Sequence, residues 1–455
     1  MLRSIEDRHD FANRLNQLVS PSQPIQSVEH LHGRIHELDQ IDKVLYAPGR
    51  HVFIYGDRGV GKSSLAAAAA RQYQSADANY IDIGCGPDAT LSSVVANIAL
   101  QALTQSRLKS KTTLTKAGIS WRFLALERSV EEVSRDLHAE IRTVLDAVEV
   151  LREVAELHSE KPIVVLDEFD RIQDPVTRHI FADLLKHLGD KKVNLKFIFT
   201  GVAGSLTELL GAHQSAIRQL ATIELGRLSW DARWDISLAV TRAFQLELPR
   251  DIYVRIAAVS DGFPYYVHLI TEKMMWCAWE QADVVNAISW DHYRAGLKDA
   301  IESINAELRR PYELAVTQRT DDYEEVLWST ADGEFLQRFT DDMYGSYAYI
   351  MKQRESRPAL SFEKFKARIR ALRTPRTGAI LVTENARKGL YWYRETMLRG
   401  YVRMQAEANG IELVGDKDPS VSRHEVHVPS SARRGCRGST VPPGVSLSRK
   451  IGRSG

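Results

Sequence analysis

Cysteine is nearly missing: the 455 residues contain three, Cys85, Cys277 and Cys436, with no metal-ligand spacing and one left over in any disulfide scheme. That excludes a disulfide scaffold and a cysteine metal cluster, and it points to a reducing, cytoplasmic setting. Also missing is any apolar run near the roughly 18 residues of a membrane span. The opening MLRSIEDRHDFANRL is charged where a signal peptide would be apolar. A soluble protein with no membrane partner is expected. Net charge is small too, since 60 basic side chains face 59 acidic ones, for +1. What is present, 44% hydrophobic and 26% charged residues, is the make-up of a folded globular chain and not of a disordered or collagen-like one. At roughly 150 residues per domain, the length asks for two to four domains.

The near-zero charge is an average over unlike segments. Residues 1–349 hold 38 basic and 50 acidic side chains, or −12, whereas 350–405 hold 14 and 4, or +10. Residues 406–415 add −2 and 416–455 add +5.

The strongest local pattern is His51-Val52-Phe53-Ile54-Tyr55, then Gly56-Asp57-Arg58-Gly59-Val60-Gly61-Lys62-Ser63-Ser64, then an Ala/Leu-rich stretch. It reads as strand, glycine loop and helix, and it matches G-x-x-x-x-G-K-[ST] in full. Such a loop turns backbone N–H groups toward phosphates, with Lys62 reaching the β/γ oxygens and Ser63 coordinating Mg²⁺. A second Mg²⁺ ligand is required, and Pro162-Ile163-Val164-Val165-Leu166-Asp167-Glu168 supplies Asp167 at the end of an apolar run expected of a doubly buried strand. Glu168 is the candidate general base that polarises the attacking water. An acidic pair capping the next helix is the plainer alternative.

Three further apolar runs, Tyr80–Ile83, Leu195–Thr200 and Ala221–Leu225, complete a parallel sheet with helical patterns between most of them. Thr200 ends its strand on the ligand side, where it would orient water or merely bond its own backbone.

Together the glycine loop, the Asp167-Glu168 pair, the polar strand end and an arginine before the last strand resemble an AAA+ ATPase. His32-Gly33-Arg34 with Glu37-Leu38 resembles the adenine-side box of the origin-recognition and initiator-like group, with bacterial Orc-like ATP-binding proteins as the nearest match over about residues 28–400. The resemblance implies ATP and Mg²⁺ as ligands and Gly33 and Arg34 as base-side contacts. It also implies that Arg218 is an arginine finger reaching a neighbouring subunit, in a homo-oligomer or beside a partner AAA+ subunit; a surface helix arginine is the alternative. Family members often carry a sensor arginine after the Gly262 position. This chain instead reads Gly262-Phe263-Pro264, which looks like the G-x-P element of the STAND signalling NTPases and implies a nucleotide contact at Pro264. A slow ATPase is expected.

Between Gln105 and the Asp167 strand lie about 55 residues a minimal P-loop domain does not need. The run around Trp121 and Phe123 suggests a basic hairpin arm, for nucleic acid or for packing on its own domain. Ser129 and Glu132 read as a capping box opening one long amphipathic helix through Val154.

Toward the C-terminus the periodicity predicts helices at 323–327, 346–355 and 361–373, then an extended stretch 379–383, a turn at 384–389 and Leu390-Tyr391-Trp392-Tyr393. Helices followed by a hairpin resemble a winged helix-turn-helix. Ser361 caps a helix with Phe362, Phe365, Ile369 and Leu372 on one face, and Lys364, Lys366, Arg368, Arg370 and Arg373 on the others. That face, with Arg387 and Lys388 at the hairpin tip, makes DNA the expected partner of residues 350–405. The boundaries are an N-terminal extension 1–27, an α/β P-loop core 28–228 with the insertion 106–160, a helical lid 229–311, a winged-helix domain 312–415 and a disordered basic tail 416–455. The competing expectation is a STAND-like nucleotide-gated switch that assembles on a protein partner with little hydrolysis.

Overall fold

The computed structural model describes residues 7–21, 28–105, 137–206, 216–281, 285–317, 322–354, 358–384 and 389–413. The arm around Trp121 and Phe123, the Ser129/Glu132 box, Arg387, Lys388 and the 416–455 tail lie outside the described residues. The chain folds as two compact units, one of residues 1–309 with 395–409, the other of 310–394 with 410–455.

The first unit begins with α1 (Arg8–Leu18), capped by Asp7, whose carboxylate accepts from the His9 N–H at 3.0 Å. Phe11 of this helix is fully buried and packs on Phe244, Trp276 and Trp279. Part of the N-terminal extension is thereby built into the lid. Next come α2 (Ile35–Tyr46), β1 (His51–Tyr55), α3 (Lys62–Tyr73), β2 (Ile81–Gly84), α4 (Leu91–Gln105) and α5 (Val144–His158). The order continues with β3 (Ile163–Asp167), α6 (Pro175–Asp190), β4 (Lys196–Gly201), the single turn α7 (Ala216–Gln219) and β5 (Leu220–Glu224).

The five strands pair in parallel in the order β2-β3-β4-β1-β5. Strands β1, β3 and β4 are central and read as uninterrupted apolar runs because both their faces are covered. Phe53, Phe169, Phe181, Phe197 and Phe199 form a connected set of ring contacts there, each fully buried. Burying each such ring contributes roughly 1.5–3 kcal/mol. Ala66 to Ala70 of α3 are all buried, so small side chains let this helix lie close on the sheet and hold the loop that precedes it.

One helix differs from expectation. In place of a continuous helix through residue 154, residues 141–143 break the pattern and α5 starts afresh at Val144. Helix α5 has a capping box of its own, Thr143 with Asp146, both reciprocal bonds being present. Ile141 is buried in the same core as Val148, Leu151 and Val154, so an apolar stripe runs through a break in the helix. Helix α5 packs on α4 and α6, which makes this part of the insertion a core element.

The lid comprises α8 (Trp230–Ala243), α9 (Arg250–Val259), α10 (Pro264–Glu280) and α11 (Trp290–Ser303), with breaks at Pro249 and at Gly262–Pro264 as the sequence suggests. After α12 (Ala306–Val316), through which the unit boundary passes, the chain builds the second unit and then returns to the first.

The second unit runs α13 (Tyr323–Ala331), β6 (Arg338–Phe339), α14 (Thr340–Gln353), α15 (Phe362–Ala371), β7 (Leu381–Val382) and β8 (Leu390–Tyr393). Its antiparallel sheet has the order β6-β8-β7. Trp328, Tyr347, Phe365, Ile369 and Leu372 form its core. This arrangement is consistent with a winged helix. Helix α13 is longer than predicted and α14 starts earlier, and the 379–383 stretch narrows to two paired residues. Ser361 sits at the N-cap of α15, without a side-chain cap bond. Helix α16 (Thr396–Ala408) follows β8; its sequence was placed with the winged-helix domain, but it packs on α9 and α11 of the first unit.

Candidate functional site

Strand β1 delivers the glycine loop at the carboxyl edge of the sheet, and three of its residues need to lack a side chain. Gly56, Gly59 and Gly61 have φ of 156°, 77° and 95°. A Cβ at Gly56 would also strike the Leu225 carbonyl oxygen. Asp57 and Arg58 are exposed at the tip, Val60 is buried, and Ser64 is half-buried in the first turn of α3.

Lys62 opens α3, and its Nζ donates to the carbonyl oxygens of Gly56 at 3.0 Å and Asp57 at 2.8 Å. Burial lowers its pKa below the usual lysine value, opposed by Asp170, Asp167 and Asp57. The Ser63 hydroxyl donates to Oδ1 of Asp167 at 2.9 Å. Thr200, 1% exposed, donates to the same Oδ1 and accepts the Glu168 N–H at 3.0 Å. One carboxylate is thus fixed by hydroxyls from two other elements, and both its partners stand on β4 or the loop helix.

Glu168 adopts a left-handed backbone, φ 54° and ψ 41°, which turns its side chain away from the strand direction. Its Oε2 pairs with the Arg171 guanidinium at 2.8 Å, both side chains being about half exposed (47% and 53%). Asp82 on β2 has its pKa raised by burial and by Asp167, and the Cys85 thiol is pushed up to about 12 by burial and then by Asp167, Asp170 and Glu168. These carboxylates make the strand ends a negative field suited to a cation. Among the described residues no group of three or more His, Cys, Asp or Glu side chains forms a metal cage. Mg²⁺ fits this donor set, because it takes one or two protein ligands and completes its shell with phosphate oxygens and water.

On the base side, Gly33 has φ 68°, and a Cβ there would collide with Ala232 of α8. Arg34, 6% exposed, donates to the carbonyl oxygens of Val60 at 3.1 Å and Gly226 at 2.5 Å and pairs with Glu37 at 3.3 Å. Its guanidinium therefore braces the loop against the start of the lid. Pro264 opens α10, its ring 3.7 Å from the Cβ position of Gly61. One turn further along, His268 is buried and its pKa is lowered to about 4 by burial and then by His32 and His30. Arg218 is exposed on α7 and is not among the side chains gathered around Asp167.

Reading the sequence missed Arg171, although its i+3 position relative to Glu168 was available. It also missed Asp261, 2% exposed at φ 52°, whose carboxylate pairs with Arg227 at 2.6 Å and Arg399 at 3.0 Å and lies 3.7 Å from Arg403. Arg399 and Arg403 come from α16, over 130 residues away, so no local signal could have revealed the cluster.

Strand order, glycine loop and paired acids are those of a P-loop domain, and residues 30–198 match the sequence model of the AAA ATPase domain family. No curated protein matches the chain. Among solved structures it is similar to a Walker-type ATPase of Pyrococcus abyssi, with 16% identity over 84% of this chain and 99% of that one and a TM-score of 0.51. The ORC2 protein of Aeropyrum pernix gives 13% identity, 89% and 99% coverage and a TM-score of 0.48. The RuvB Holliday junction branch migration motor of Thermotoga maritima gives 10%, 85% and 98%, and 0.41. The first of these likenesses shows a shared fold. In the described residues no helix is long and apolar enough to cross a membrane.

Proposed function

We propose that the protein binds ATP with Mg²⁺ at residues 56–64, hydrolyses it slowly, and couples nucleotide state to DNA bound by the second unit. The observation that carries the reading is the shared Asp167 carboxylate, held by Ser63 and Thr200 beside Lys62. Bound Mg²⁺ would supply charge neutralisation at the β- and γ-phosphates, with Ser63 and Asp167 as its protein ligands. Lys62 exchanges its two loop carbonyls for phosphate oxygens. Glu168 takes the proton of the attacking water once it leaves Arg171. Thr200 holds Glu168 by its backbone and so fixes where that base begins. Arg218, exposed before β5, acts in trans in an oligomer, in this reading, where its fixed positive charge meets the neighbour's γ-phosphate. Turnover is slow because the base is paired away at rest and because Gly262-Phe263-Pro264 stands where a sensor arginine would.

Lys62→Ala is expected to abolish ATP binding, and Glu168→Gln to retain binding while turnover drops at least about a hundredfold. Equilibrium binding and phosphate release on the two variants test this, and full turnover by the Gln variant would overturn the assignment of the base.

A second reading, a STAND-like switch that holds nucleotide and assembles on a protein partner, is favoured by Pro264 standing against Gly61. The two part company on turnover: duplex DNA stimulates phosphate release in the first, whereas the second predicts no response to DNA at any salt concentration.

A further inference from the structure

Helix α16 brings a second arm to the phosphate loop. A Cβ placed on Gly59 would collide with the thioether of Met397, so this side chain lies in contact with the loop backbone. The Met397 carbonyl accepts the Tyr266 hydroxyl at 2.7 Å, and Gly400 makes room for the Tyr266 ring. Tyr266 lies two residues after Pro264, which stands against Gly61. Both arms are anchored at the Asp261 carboxylate: it precedes Gly262-Phe263-Pro264 and binds Arg399, two residues after Met397, with both oxygens at 3.0 Å.

Helix α16 is also the return segment from the second unit. Arg394, the residue of that unit just before α16, is held within it by its N–H to the Ile380 carbonyl at 2.8 Å and its Nε to the Ala379 carbonyl at 3.0 Å. Glu395 already caps α16 by accepting the Met397 N–H at 3.4 Å. Met397 follows Arg394 by three positions, with two residues between them. So short a stretch of chain spans at most about 11 Å.

We propose that Met397 is a positioning residue of the nucleotide site, bracing Gly59 as Pro264 braces Gly61, and that through it the loop and α16 are energetically coupled. The inference rests on residues 56–63 being a nucleotide site. Coupling of this kind is reciprocal: what α16 does for nucleotide affinity, nucleotide must do for the order of α16.

The test uses the full chain and ADP, titrated by calorimetry, with hydrogen exchange followed over residues 396–404. Met397→Ala is expected to weaken ADP about fivefold or more, and Met397→Leu to restore it. Met404→Ala, a buried change about two turns further along the same helix, should lower the melting temperature and leave ADP affinity as it was. ADP should slow exchange across α16 in the native chain, and not in Met397→Ala. Equal ADP affinity in Met397→Ala and the native chain would overturn the proposal, as would the same loss in Met404→Ala. Should Met397→Ala not fold, absence of ADP protection over α16 in the native chain overturns it instead. Failure of the native chain to bind ADP at all would show the site reading itself to be wrong, an outcome separate from the others.

Discussion

Thr200 illustrates how little freedom the site leaves to a single side chain. Its hydroxyl donates to Asp167 and accepts from the Glu168 N–H, so both of its hydrogen-bonding capacities serve the two acids that follow β3. Thr200→Val keeps the shape and removes both bonds. We expect nucleotide affinity to change less than about threefold while kcat falls about tenfold or more, the pattern of a group that matters in the transition state. Steady-state kinetics with separate kcat and KM checks it. Two buried histidines set a pH limit on the fold. His51 titrates at about 3 and His268 at about 4, both lowered first by burial, against 6.5 for the exposed ring. Below pH 6.5 the unfolded chain takes up protons at both while the folded chain stays neutral there, so their contribution is full above 6.5 and is lost as pH falls toward 4. The urea midpoint should therefore fall between pH 7 and pH 5, and His268→Gln should make that fall shallower.

The joint between α9 and α10 shows what one residue does for an element. Asp261 is a non-glycine residue in the left-handed region, and its buried carboxylate faces Arg227, Arg399 and Arg403. Asn tolerates the same backbone, so Asp261→Asn isolates the charge. Removing one partner of a buried ion network leaves the others uncompensated, and a loss of about 3–5 kcal/mol is expected by urea denaturation. A loss below about 1 kcal/mol would show that the arginines find other partners. Elements were legible where one local pattern governs them. The glycine loop and Asp167-Glu168 carry their geometry in adjacent letters, and the five strands fall within about a residue of expectation because doubly buried strands read as plain apolar runs. The stretch before α5 was not legible, since Ile141 continues the apolar stripe across the break while only the Thr143 to Asp146 box marks the true start. Neither was the home of α16: its Arg399 and Arg403 look like surface charges until Asp261 is placed beside them.

That placement changes where the charge of the whole molecule sits. The +10 of residues 350–405 includes Arg399 and Arg403, which are buried in the first unit. Counted over residues 310–394, the part of the second unit that precedes α16, fifteen basic side chains face twelve acidic ones, an excess of +3. Several of the fifteen are already paired: Arg368 with Asp322 at 3.0 Å, Arg354 with Glu325 at 3.3 Å, Lys366 with Glu363 at 3.2 Å. Attraction for a polyanion must then come from local geometry, and around α15 it narrows to the exposed Lys364 and Arg370 of the helix and Arg373 just past its end. Each phosphate contact contributes roughly 0.9 to the slope of log affinity against log salt. Replacing all three by Ala should lower that slope by about 2–3 and weaken duplex binding at every sequence tested, with ATP affinity unchanged. Fluorescence anisotropy across a salt series reads both quantities. An unaltered slope would move the DNA contact elsewhere, and no measurable binding by the native chain would favour the protein-partner switch.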